Sequence, residues 1–302
     1  MNGYHRSVLL QEVIEALNVR KDHKYIDATL GGGGHADEII KRGGVVLGLD
    51  VDIEAVEFVS ENQKSKIKNQ KLRLARRNFA DIDKIAKDNG FGKVAGILFD
   101  LGLSSHQIDE AERGFSYLKP GPLDMRMDQR LGVKAADLLN ALGRKELYEI
   151  FNKFGEERYA HAISENIVSA RRIAPFATTN DLVGVLAKTY GFKNLSDRAI
   201  SESSKRVFQA LRIAVNDELR SLYTALPKAL ELLEKGGRLV VISFHSLEDR
   251  IVKQTFAKFE KENMGKIITK KPILPGSVEV LQNSRSKGAK LRIFEKIRLR
   301  RV

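Results

Sequence analysis

Short, almost unbroken apolar runs alternate along the first hundred residues with stretches in which apolar positions recur every three or four residues. Lys24-Tyr25-Ile26, Val45 to Leu49, Leu72 to Arg76 and Val94 to Phe99 are the runs, and they predict strands covered on both faces, as in a parallel sheet. Ala36 to Lys41 and Ile53 to Glu61 have the helical spacing. Such alternation predicts a doubly wound α/β fold, whose site lies outside the carboxyl ends of the strands. Asp27, Asp50, Phe79 and Asp100 follow those ends. A single aspartate there is commonly a helix cap or a solvated loop acid. Three in register point to a ligand.

The alternation stops after Asp100. From Ser104 to about Ser203 the pattern is helical and polar, and Thr178 with Asp181 has the spacing of a capping box. Lys205 to Glu234 predicts a long helix interrupted at Pro227, which should start a new helix or kink the old one. Gly236-Gly237 then stops it, Arg238 to Phe244 reads as another buried strand, and Ser246 with Asp249 suggests a capped helix. His245 is read as a capping or packing residue. Leu291, Ile293, Ile297 and Leu299 alternate with Arg292, Phe294, Lys296 and Arg298, which predicts a half-exposed terminal strand. Ahead of the first strand, His5 to Val13 predicts a helix started by Ser7 and covering the pocket. The expected division is a discontinuous sheet domain, 1–107 with 206–302, and an inserted all-helical domain, 108–205.

Composition narrows the chemistry. The 302 residues include no cysteine, which removes disulfides, thiolate zinc sites and cysteine nucleophiles. No apolar run approaches a membrane span and no signal-peptide core is visible, so a cytoplasmic protein without membrane contact is expected. Net charge is +13, and Lys266 to Val302 alone carries eleven Lys or Arg against Glu279 and Glu295. That field attracts phosphate backbones. Arg158, Tyr159, His161, Arg171 and Arg172 add a mixture of charge and aromatic rings in the helical stretch, although ordinary solvated helix faces fit them equally.

The candidate chemistry centres on Asp27-Ala28-Thr29-Leu30-Gly31-Gly32-Gly33-Gly34-His35. Glycines at a strand-to-helix turn admit positive φ and let a ligand lie against main-chain N–H groups. Asp50, 19 residues after Gly31, can accept both hydroxyls of an adenosine ribose. A nicotinamide dinucleotide and S-adenosylmethionine both fit this pocket. An acid at Asp27 suits the ammonium of a methionyl group and would repel a pyrophosphate, which favours S-adenosylmethionine. Without a cysteine to add to a pyrimidine ring, an amine is a better methyl acceptor than carbon. No spacing signature of a metal site is present, His35, Asp27 and His245 included.

These motifs, with Asp100-Leu101-Gly102-Leu103-Ser104-Ser105-His106-Gln107, Pro122-Leu123-Asp124-Met125-Arg126-Met127-Asp128 and Phe244-His245-Ser246-Leu247-Glu248-Asp249-Arg250, resemble the ribosomal RNA small-subunit methyltransferase H family, also called MraW. The resemblance runs from His5 to the Lys290-Leu291-Arg292 strand. It implies a class I S-adenosylmethionine methyltransferase with a mostly parallel seven-stranded sheet and an inserted helical substrate domain. The implied reaction methylates the exocyclic N4 of a cytidine in the decoding region of 16S rRNA, within the small ribosomal subunit, with homodimer formation left open. The implied cofactor residues are Gly33, Gly34, His35, Asp50, Phe79, Asp100 and Gln107, joined by Asp27 from the residue chemistry above. Asp100 is also the candidate catalytic residue. Many amino-methyltransferases have Asp/Asn-Pro-Pro-aromatic at this position, whereas this chain has Asp100-Leu101-Gly102-Leu103, leaving Phe115, Tyr117 and Phe244 as base-stacking candidates. Arg126 is open to a phosphate or to Asp124 or Asp128. The competing readings are a DNA amino-methyltransferase and a non-catalytic RNA-binding assembly factor.

Overall fold

The computed structural model describes residues 7–191 and 198–297; Arg298, Leu299, Arg300 and Arg301 of the basic tail lie outside them, as do His5 and Arg6. The chain divides into two compact units, Met1–Ser104 with Leu219–Val302, and Ser105–Glu218.

In the first unit α1 (Leu10–Leu17), β1 (Lys24–Asp27), α2 (Gly34–Lys41), β2 (Val45–Asp50), α3 (Ile53–Asn62), α4 (Lys64–Lys68), β3 (Leu72–Arg76), α5 (Ile82–Asp88) and β4 (Val94–Asp100) follow one another. After the second unit come α12 (Glu218–Leu232), β5 (Leu233–Ser243), α13 (Ser246–Lys261), β6 (Gly265–Ile267), α14 (Ser277–Gln282) and β7 (Lys290–Lys296). The sheet order is β3-β2-β1-β4-β5-β7-β6, with β1 to β5 parallel and β7 antiparallel to β5 and β6. This is the class I methyltransferase sheet. One apolar cluster, with Ile97, Phe99, Leu101 and Val241, packs on one face. A second, with Leu98, Val240, Ile242 and Leu291, packs on the other.

The second unit holds α6 (Ser105–Asp109), α7 (Ala135–Ala141), α8 (Arg144–Gly155), α9 (Ala160–Ala170), α10 (Thr179–Thr189) and α11 (Arg198–Asn216). Gly155 lets α8 approach α11, since a Cβ there would stand 2.9 Å from the Arg206 carbonyl oxygen. Thr178 and Asp181 make the capping box expected of them.

Four local expectations are corrected. Ser7 does not cap α1: the helix starts from Leu9 at φ +51°, and the Leu9 N–H donates instead to Glu279 Oε1 at 2.8 Å. Pro227 sits inside α12, and the break falls earlier, at Asp217 with φ +49°. Pro227 has no N–H to offer the Tyr223 carbonyl four residues back, and Tyr223 is 64% exposed, so that carbonyl is open to water. Helix α11 therefore groups whole with the second unit, which ends at Glu218 and not at 205. The α13 capping box is shifted by one residue, to His245 and Glu248, which leaves Asp249 free to pair with Arg292 Nε at 2.6 Å.

The fourth correction concerns β7, which is an interior strand with both faces covered. Arg292 and Lys296 are 8% and 5% exposed, so neither adds to a basic surface. Lys296 Nζ donates to the carbonyls of Leu230 at 2.7 Å, Glu231 at 3.1 Å and Leu233 at 2.7 Å, closing the last turn of α12. Burial pushes its pKa down to about 8. Lys296→Met should strand these carbonyls and lower stability by about 1–3 kcal/mol, read as a lower urea midpoint at unchanged m-value. A midpoint equal to that of the parent would contradict the closure.

Candidate functional site

Parallel pairing brings the strand ends of the first unit level with one another. Asp27 lies opposite Gly48 of β2 and Leu98 of β4, and beyond it the Ala28 N–H bonds Leu98 and the Leu30 N–H bonds Leu49. The turn is thus an extension of the sheet. Gly31 and Gly33 take φ +49° and +75°, which a side chain would resist. Gly34 serves another purpose: a Cβ there would collide with the Ser7 hydroxyl. Ser7 therefore lies against the turn.

Each aspartate is tied to this backbone. Asp50 Oδ2 accepts from Gly31 N–H at 2.8 Å and Oδ1 from Asp52 N–H at 2.9 Å. Asp27 Oδ1 accepts from Thr29 N–H at 3.3 Å. The Asp100 N–H donates to Thr29 Oγ1 at 2.6 Å, joining the end of β4 to the turn. His35 spans the same space, with Nε2 3.1 Å from the Val8 carbonyl and Nδ1 3.6 Å from Asp100 Oδ2. Because a carbonyl only accepts, Nε2 carries a proton and Nδ1 faces the carboxyl. Phe79 follows β3 and stands edge-on to Phe99, ring centroids 5.4 Å apart.

Two carboxylate oxygens, Asp27 Oδ2 and Asp100 Oδ1, are buried with no hydrogen-bond partner among the described residues. Asp27 is 1% exposed and the Asp100 side chain 11%. Burial pushes Asp27 up to about 7, with Asp50 adding to it and main-chain N–H groups opposing. Burial likewise raises Asp50 to about 6, again against main-chain N–H groups. Asp100 is raised well above the usual carboxylate range, first by burial and then by Asp27, Glu248 and Glu279. No Lys or Arg pairs with any of the three among the described residues. Such a pocket suits a ligand that brings positive charge and donors. S-adenosylmethionine, with a sulfonium and an ammonium, fits that requirement.

Of the residues expected to form the site, Asp27, Gly33, Gly34, His35, Asp50 and Asp100 come together at the strand ends, with Phe79 at the end of β3. Gln107 does not belong to this unit: it lies on α6 in the helical one, 7% exposed. Sequence reasoning missed Glu279, whose short helix is remote in the chain yet bonds Leu9 and bears on Asp100. Nothing in its local sequence marks it.

The helical unit has a groove of about 620 Å³ whose lining includes Arg158, Tyr159, Thr189, Tyr190 and Arg206. Beneath it, the fully buried carboxylate of Glu157 accepts from Tyr159 N–H at 2.9 Å, the Tyr190 hydroxyl at 2.8 Å and Arg206 Nε at 2.7 Å. Burial would raise the Glu157 pKa, but these donors outweigh it and hold the group below its ordinary value. The Tyr159 and Tyr190 rings meet edge-on at 4.8 Å. Arg171 is committed elsewhere, to the carbonyls of Leu139 and Leu142, and His161 packs edge-on to Tyr148. Arg126 is likewise engaged, bidentate to Asp124 at 2.8 Å on both arms, while Asp128 holds Arg130.

A family model described as the MraW methylase family matches residues 2–297. The Ribosomal RNA small subunit methyltransferase H of Coprothermobacter proteolyticus is 43% identical, covering 97% of this chain and 96% of that protein. Its counterpart from Lachnospira eligens is 41% identical over 98% of this chain and 99% of that protein, and one from Clostridium botulinum is 42% identical over 98% and 100%.

The raised aspartates fix a sign. Unfolded, they lose their protons near 3.8; folded, Asp50 keeps its proton to about 6 and Asp27 to about 7. Between those values these two groups bind more protons in the folded state, so their contribution to the stability of the ligand-free protein falls as pH rises from about 4 to 7. Thermal unfolding of the parent and of Asp27→Asn should therefore show the Tm of the variant gaining on that of the parent across that window. A Tm difference that does not change with pH, or that changes in the opposite sense, would contradict the assignment.

Proposed function

Since this chain belongs to the MraW methylase family, and is therefore a methyltransferase using S-adenosylmethionine, we propose that its acceptor is the exocyclic N4 of a cytidine in the decoding region of 16S rRNA. The observation that carries the reading is the pair of buried carboxylate oxygens at the glycine turn, Asp27 Oδ2 and Asp100 Oδ1, that have no hydrogen-bond partner among the described residues. Its curated relatives are named as small-subunit rRNA methyltransferases, which supports small-subunit rRNA as the substrate. The helical unit has a groove in which Tyr159, Tyr190, Arg158 and Arg206 stand beside Glu156 and Glu202, and its rings and Arg158 are what would meet an RNA strand there.

The cofactor, when bound, supplies an electrophilic methyl group on a sulfonium centre. Gly33, Gly34, His35 and Asp27 would hold its methionyl end, Asp50 its ribose hydroxyls and Phe79 its adenine. Gln107 enters this set on the resemblance alone. A cytosine amine is a weak nucleophile because its lone pair is delocalised into the ring, so the protein must orient it and accept its hydrogens. Asp100 Oδ1 has an unused acceptor position for an amine N–H. In its ionised form Asp100 can take the proton that the amine loses as it is methylated, and burial raises its affinity for that proton. His35 Nδ1, 3.6 Å away, lies on the same carboxyl and can share that proton.

Labelled donor should be offered to deproteinised rRNA, unmodified small subunits and duplex DNA, followed by nucleoside digestion. The reading expects N4-methylcytidine in 16S rRNA; label in DNA, or on ring carbon, would overturn it. Asp100→Asn should lower kcat/KM by about 10²–10³-fold and leave RNA affinity unchanged in a binding assay. Replacing Arg158 and Tyr159 together with Ala should raise the KM for the RNA by about tenfold, with donor affinity unaffected. Unchanged KM would remove the groove from the substrate path.

A further inference from the structure

Among the described residues, the rings that could lie against a target base are not equivalent. Phe115 is only 8% exposed. Tyr117 shares a hydrogen bond with Ser201 at 2.9 Å and packs edge-on to Phe208, both in its own helical unit. Phe79 is engaged with Phe99. Phe244 is half-buried and sits at the end of β5, next to the end of β4.

Strand periodicity decides which face Phe244 occupies. Asp100 pairs in register with Ile242, and the Leu101 N–H donates to the Ile242 carbonyl at 3.0 Å. Leu98 and Ile242 belong to one apolar cluster, Leu101 and Val241 to the other. Alternate residues share a face, so Asp100 lies on the side of Leu98. Phe244 packs against that same cluster. Its ring lies against Gly102: a Cβ there would be 3.3 Å from Cδ2, 3.8 Å from Cγ and 3.9 Å from Cε2. Gly102 takes φ +100°, a conformation that a side chain resists, so the ring meets bare backbone there.

The backbone beneath the ring is fixed. Phe244 N–H donates at 2.8 Å to Oε2 of Glu248, a residue 2% exposed that forms the α13 capping box with His245. We propose that Phe244 is the aromatic platform on which the target cytosine stacks. It comes from the end of β5, not from the third position after Asp100, where this chain has Leu103. Stacking there would hold the plane of the base and aim its amine edge toward Asp100 on the same face of the sheet. The proposal rests on the cytosine-amine reading given above, and it names the residue that replaces the absent motif aromatic.

The test uses the full chain with Phe244→Leu, which keeps an apolar side chain but loses the π-face, and Phe244→Tyr, which keeps the ring. Methylation of unmodified small subunits gives kcat and KM, and calorimetry gives donor affinity. Quenching of a pyrrolocytidine placed at the target position of an RNA oligonucleotide reports stacking without any methyl transfer. Phe244→Leu should bind the donor as the parent does, lose about 10- to 100-fold in kcat/KM and lose the quenching. Phe244→Tyr should restore both. Parent-like methylation or quenching in Phe244→Leu overturns the platform, as does a Tyr variant no better than Leu. If the parent makes no N4-methylcytidine, the cytosine reading fails, and quenching alone still decides whether Phe244 stacks on a base.

Discussion

Negative charge withheld from water, with no Lys or Arg paired to it among the described residues, is the constraint from which the site follows. Asp27, Asp50 and Asp100 end three adjacent parallel strands, and burial raises the proton affinity of each. A buried carboxylate without a partner is costly, and near neutrality it either keeps its proton or acquires a cation. The sheet cannot avoid this arrangement once those residues stand at those ends. Main-chain N–H groups from Gly31, Asp52 and Thr29 offset part of the cost. Two oxygens, Asp27 Oδ2 and Asp100 Oδ1, have no partner among the described residues, and they are what a cationic methyl donor and an amine acceptor need.

Buried charge elsewhere in the chain is handled differently. Glu157 has Arg206, a tyrosine hydroxyl and a main-chain N–H, so it stays ionised and fixes the walls of a groove. Arg292 is bidentate to Asp249, and Lys296 is surrounded by carbonyls. Those groups are structural because their needs are met within the fold. The contrast separates a site from a scaffold more firmly than residue type alone, since each class contains buried acids.

Much of this was legible in the sequence because it is written locally. Parallel strands covered on both faces need continuous apolar runs, and the acids that end them stand out at once. The glycine turn announces itself by residues without Cβ. What stayed hidden depended on distant partners. Arg292 and Lys296 have the spacing of exposed residues, and only Asp249 and the α12 carbonyls explain their burial. Glu279 reaches Leu9 across 270 positions. Pro227 starts no new helix, since the carbonyl its missing N–H would have met belongs to the exposed Tyr223, whereas the break at Asp217 has no proline or glycine to mark it. Glu156 and Glu157 are adjacent and chemically alike, yet only the second is the buried anchor. The approach of Phe244 to Gly102 depends on strand register, which neither segment reveals alone.

A pocket of this kind must exchange protons for a cationic donor. Calorimetric titration with S-adenosylmethionine between pH 5.5 and 7, in buffers of different ionisation heat, measures this directly. Affinity should tighten as pH rises, with protons released on binding at the acid end as the raised carboxylates ionise. Affinity independent of pH, with no proton released in any buffer, would contradict it.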